Sequence, residues 1–83
     1  MSYKFKYTAE AEIQFKLLDG TYSTAIITYM YGDKITQLKD EVSNEIIRRW
    51  ARRKADCCIN ITYTKKGEYY DSEEIFIEKG EVV

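Results

Sequence analysis

The chain has 83 residues, 45% hydrophobic, 33% charged and 14% aromatic, with thirteen Lys and Arg against fourteen Asp and Glu and a net charge of −1. That is one small domain with one modest core, too apolar for a disordered chain, and its overall charge favours neither nucleic acid nor a basic partner. With no histidine, Ser-His-Asp and Cys-His catalysis, imidazole metal ligation and a histidine pH switch are all excluded.

Residues 3–17 alternate. Tyr3, Phe5, Tyr7, Ala9, Ala11, Ile13, Phe15 and Leu17 share one face, and Lys4, Lys6, Thr8, Glu10, Glu12, Gln14 and Lys16 share the other. A period of two predicts a strand with one face on a core and one in water, long enough to expect a bend or bulge near Ala9–Ala11. Leu18-Asp19-Gly20 predicts a hairpin turn. A two-residue loop would pair Leu18 with Thr21. The preferred three-residue loop pairs Leu17 with Thr21, and sets Ala25, Ile27, Tyr29 and Tyr31 on the face of Ile13 and Phe15. Tyr22, Thr24, Ile26, Thr28 and Met30 then fall beside the polar face of the first strand, and a slip of one residue inverts the assignment.

Gly32-Asp33 closes the second strand, with Thr36 as the expected N-cap. From Gln37 to Lys54 the period becomes helical. Leu38, Val42, Ile46 and Trp50 form one stripe, with acids early and Arg48, Arg49, Arg52, Arg53 and Lys54 at the end, as the helix dipole favours. Residues 57–64 alternate again, Lys65-Lys66-Gly67 is a turn, and Glu68-Tyr69-Tyr70 extends the hairpin. Ile75-Phe76-Ile77 is a short last strand, and Gly80–Val83 is expected to fray. The order β-β-α-β-β predicts a single α+β domain over residues 1–83, one helix packed across a mostly antiparallel sheet.

That order, with a glycine-bulge hairpin leading to a helix near Ile35-Thr36-Gln37-Leu38-Lys39, resembles the first half of a ubiquitin-like β-grasp domain over residues 11–50. The resemblance implies a β-grasp-like topology. The chain closes on Glu81-Val82-Val83 instead of the Gly-Gly used in conjugation or sulfur transfer, so the likeness is one of fold and carries no activity.

The inventory for chemistry is thin. Alternation puts Glu10 and Glu12 in water, Cys57 has no histidine base, and the four glycines are isolated turn residues without a phosphate-loop spacing. Cys57 and Cys58, adjacent in sequence, are expected to be reduced, structural strand residues. No cofactor, no metal and no enzymatic activity are expected. The N-terminus has no apolar leader run, and no apolar stretch is long enough to span a bilayer, which predicts a soluble, cytoplasmic protein with no membrane partner.

Two binding readings remain. Residues 48–54 carry five positive charges and no negative one, whereas residues 1–47 balance at −2 and residues 55–83 at −4. With Lys65 and Lys66, the residues Arg48, Arg49, Arg52, Arg53 and Lys54 form the candidate nucleic-acid contact. The favoured reading is protein binding, by an inhibitor or adaptor that occupies a partner's surface. Eight tyrosines and three phenylalanines exceed the needs of the core, and Tyr22, Ile26, Met30, Tyr69 and Tyr70 are the candidate contacts. A homodimer through the hairpin face or an edge strand belongs to the same class.

Overall fold

A computed structural model describes residues 7–31 and 35–83. The strand positions expected at Tyr3 to Lys6, the turn at Gly32-Asp33 and the side chain of Leu38 lie outside the described residues. Among the described residues, five strands and one helix follow in the order β1 (Tyr7–Lys16), β2 (Tyr22–Tyr31), α1 (Ile35–Ala51), β3 (Cys57–Lys65), β4 (Glu68–Glu78) and β5 (Glu81–Val82). The strands form one antiparallel sheet in the order β2-β1-β3-β4-β5. The α+β reading with β-β-α-β-β order and a single helix holds. The β-grasp likeness stops at element order and turn type, because that fold pairs its first strand in parallel and here β1 has antiparallel neighbours on both sides.

The first hairpin takes the three-residue loop. Leu17 N–H donates to the Thr21 carbonyl at 2.7 Å, Gly20 N–H donates to the Leu17 carbonyl at 3.0 Å, and Gly20 sits at φ +88°. Asp19 reinforces the loop by accepting from the Thr21 amide at 3.0 Å and the Thr21 hydroxyl at 2.6 Å, and these bonds hold its carboxyl below the usual range. Register then runs without a break from Lys16↔Tyr22 to Tyr7↔Tyr31. The bulge expected near Ala9–Ala11 is absent from β1. The irregularity lies instead between β3 and β4, where Tyr63↔Asp71 is followed by Thr64↔Tyr69 and Tyr70 is the extra residue.

The core lies between α1 and one face of the sheet. Ala9, Ala11, Ile13, Ile59, Ile61, Tyr63, Ile75 and Ile77 are buried beneath Val42, Ile46 and Trp50, with Phe15, Ala25, Ile27 and Tyr29 packed around them. Ala9 and Ala11 have no side chain beyond Cβ, which gives the helix room over the inner strands. Helix α1 starts at Ile35, one residue before the expected cap Thr36, whose side chain lies outside the described residues. It also ends earlier than Lys54. Arg53 N–H donates to the Trp50 carbonyl, Lys54 N–H donates to the Ala51 carbonyl, and Lys54 adopts φ +54°, a left-handed residue that ends the helix.

The C-terminal segment, expected to fray, is paired with β4. Lys79-Gly80 is a two-residue turn with both φ values positive, which suits the twist of a tight hairpin. It returns the chain so that Ile77 pairs with Val82, and Val83 N–H donates to the Phe76 carbonyl at 2.9 Å. On the helix side of β4, Glu73 accepts from the Ser43 hydroxyl at 2.7 Å and the Tyr63 hydroxyl at 2.9 Å, while Lys39 pairs with Asp71 at 2.5 Å. Burial is the main cause that pushes the Tyr63 hydroxyl well above its ordinary pKa. These bonds clamp α1 to β4 where the apolar core ends.

Candidate functional site

One helix covers one face of the sheet, and no described element packs over the other. Alternation decides what that second face carries. From β2 across to β4, the paired rows read Met30–Thr8–Thr64–Tyr69, Thr28–Glu10–Thr62–Ser72, Ile26–Glu12–Asn60–Glu74 and Thr24–Gln14–Cys58–Phe76. The centre is polar and acidic, with a Thr8–Thr64 hydroxyl hydrogen bond across β1 and β3. Both margins carry exposed apolar side chains, Tyr22, Ile26 and Met30 on β2 alternating with threonines, and Tyr69 and Phe76 on β4 flanking Ser72 and Glu74.

Tyr22, Ile26 and Met30 therefore share one margin of this face, with Ile26 62% exposed. Tyr69 stands on the other margin, opposite Met30 across two strands. Tyr70, at the bulge, is exposed beside it. Phe76, 45% exposed, belongs to the same surface and was not among the residues singled out from sequence. The signal was present, since Ile75 and Ile77 are the buried pair and the residue between two inward neighbours must point outward. Phe76 and Tyr22 border a shallow hollow of about 250 Å³ floored by Gln14 and Cys58.

The cationic candidates are rearranged relative to the sequence reading. Arg48, Arg49, Arg52, Arg53 and Lys54 are all exposed at the end of α1. Arg49 pairs with Glu45 at 3.5 Å, and Arg53 lies over the Trp50 ring at 4.4 Å. Lys65 and Lys66 sit at the far end of β3, about 25–30 Å away at strand rise, and cannot share a patch with them. Lys16 and Lys79 do join Arg53 and Lys54, around a hollow of about 300 Å³ that also holds Leu17, Leu18 and Asp56. Trp50 is 3% exposed and offers no stacking platform for a base.

The two thiols divide between the faces. Cys57 is buried and Cys58 half-buried, both free, and burial is the main cause that raises the Cys57 thiol, with Asp56 and Cys58 adding to it. A thiol raised in this way holds little thiolate at neutral pH. Labelling of the native protein with a thiol reagent is expected to leave Cys57 protected and modify Cys58 slowly. Rapid modification of Cys57 would refute its structural role. Among the described residues, no group of three or more His, Cys, Asp or Glu is placed to hold a metal ion, and no helix is long and apolar enough to cross a membrane. No family model matches this chain, and no curated protein or solved structure is significantly similar to it.

Proposed function

We propose that this domain is a non-enzymatic protein-binding module, an inhibitor or adaptor, that occupies a partner's surface with the open face of its sheet. One observation carries the reading: exposed Tyr22, Ile26, Met30, Tyr69 and Phe76 line the margins of a sheet face that no described element covers. Partly exposed as they are, these side chains leave on the order of 1 kcal/mol each of burial free energy unrealised, part of which a docked partner can recover. Between the margins, Glu10 and Glu12, with Glu74 beside Phe76 on the β4 margin, favour a partner with lysine or arginine near its centre and apolar groups at its flanks.

The test is affinity capture from native cell lysate with and without nuclease, followed by binding measurements on the captured protein. Phe76→Asp and Glu12→Lys, neither of them on β2, are expected to weaken binding about tenfold or more while leaving the fold intact. Ile26→Asp is expected to weaken it more than reversal of both Arg48 and Arg52. Loss of every partner on nuclease treatment, with steep salt dependence abolished by the arginine reversals, would replace this reading with nucleic-acid binding through the end of α1.

A further inference from the structure

We propose that the chain pairs with a second copy of itself through the outer edge of β2, around a two-fold axis at Ile26, joining two five-stranded sheets into one of ten strands. This inference shares Tyr22, Ile26 and Met30 with the protein-binding reading but adds backbone pairing at the sheet edge, and it leaves Tyr69 and Phe76 on the far margin uncovered.

Strand β2 ends the sheet, and no described strand lies beyond it. The hairpin's closing bond, Leu17 N–H to the Thr21 carbonyl, turns the backbone of Thr21 toward β1. Through an unbroken antiparallel register, Ser23, Ala25, Ile27 and Tyr29 do the same. The N–H and C=O groups of Tyr22, Thr24, Ile26, Thr28 and Met30 therefore point away from the sheet. The alternation is confirmed on β1, where Lys16 N–H points the other way and donates to the Asp56 carbonyl at 3.0 Å.

Sheet edges that must stay single are blunted by charge, proline, bulges or shortness. Strand β2 has ten residues, with no charged side chain, no proline, no glycine and no bulge. The other end of the sheet is protected by charge, by a bulge and by a short terminal strand. Strand β4 carries Glu68, Asp71, Glu73, Glu74 and Glu78, contains the bulge at Tyr70, and is partly capped by the two-residue β5.

The strand is also complementary to itself. A two-fold axis at Ile26 sets Ile26 opposite Ile26 of the second copy, Thr24 opposite Thr28, and Tyr22 opposite Met30. Every outward residue then lies in a hydrogen-bonded pair, about ten bonds in all. Shifting the axis to Ala25 or Ile27 leaves Met30 or Tyr22 without a partner inside the strand. On the open face the pairs are aliphatic, hydroxyl and sulfur–aromatic contacts. On the helix face, Ser23 falls opposite Tyr29 and Ala25 opposite Ile27, small against large in both pairs. No like charges meet anywhere along the seam.

The test measures the mass of the full chain in solution by sedimentation or light scattering, together with amide hydrogen exchange. A mass twice that of the 9.8 kDa chain is expected, with the amides of Tyr22, Thr24, Ile26, Thr28 and Met30 protected like their inward neighbours. Thr24→Pro removes an N–H that the β1–β2 ladder does not use, and edge strands tolerate proline there. It is expected to raise the dimer dissociation constant at least about tenfold and to expose the remaining outward amides. Ile26→Lys, at an exposed side chain, sets two cations across the axis and is expected to give a folded monomer, which decides the matter should Thr24→Pro fail to fold. Phe76→Asp is expected to leave the dimer intact, so loss of partner binding and loss of self-pairing are read separately. A wild-type monomer at high micromolar concentration, a dimer whose five outward amides exchange freely, or a dimer that survives Ile26→Lys would each overturn the proposal.

Discussion

Trp50→Ala is expected to lower the unfolding free energy by about 3–5 kcal/mol, measured by urea titration with the slope against denaturant unchanged. The indole is 3% exposed and closes the end of the core, against the Phe15 ring with centroids 4.9 Å apart and beneath the Arg53 guanidinium. Truncation removes the largest apolar group on the helix and leaves a void that Phe15 cannot fill, in a domain whose whole stability is of order 5–15 kcal/mol. Its indole N–H is buried without a hydrogen-bond partner among the described residues. Trp50→Phe keeps much of the packing and removes that unpaired donor, so it is expected to cost much less than the alanine change. A loss below about 1 kcal/mol for Trp50→Ala would place the ring outside the core and restore it as a stacking group.

Gly80→Ala is the second change expected to be severe, at about 2–4 kcal/mol. Gly80 adopts φ +86°, and a Cβ there would stand 2.9 Å from the Ala51 carbonyl oxygen and 3.5 Å from Lys54 Cγ. That carbonyl accepts the Lys54 N–H that ends the helix, so relieving the clash disturbs the end of α1 as well as the β4–β5 turn. Gly20→Ala supplies the control. Gly20 has nearly the same φ, +88°, but nothing lies within 4 Å of its added Cβ, so only backbone strain of about 1–2 kcal/mol is expected. Equal losses at the two positions would show that the β4–β5 turn does not press on the helix end.

What the sequence discloses follows the range of the interactions involved. The loop at Leu18-Asp19-Gly20 is legible because a single register buries Ala25, Ile27 and Tyr29 with Ile13, and the structure has that register. The stripe Val42–Ile46–Trp50 is equally legible, because its period is local. Strand β4 is only half legible. Its helix-side residues Asp71 and Glu73 lie where the apolar core gives way to polar bonds from Lys39, Ser43 and Tyr63, so alternation marks only Ile75 and Ile77. The placement of β3 beside β1 leaves no local trace, since any neighbour with an alternating pattern would bury Ile13. The grouping of Lys16 and Lys79 with Arg53 and Lys54 follows from that placement, whereas the separation of Lys65 and Lys66 from them follows from the length of β3 alone.

The position of β1 between β2 and β3 sets an order of events in time. Its pairing with β2 closes over a three-residue loop, and β3 with β4 over two residues, so each hairpin forms from neighbouring chain on the microsecond scale. The seam between them pairs Phe15 with Cys57 and Tyr7 with Lys65, partners roughly 40–60 residues apart in the chain, and closing it carries the entropy of a loop that includes the whole helix. Isolated two-stranded hairpins are marginal in water, so the seam is the step at which the domain becomes stable. Until it closes, the inner edges of β1 and β3, rich in isoleucine and alanine on one side, are open to the wrong strand, and refolding yield should fall as protein concentration rises.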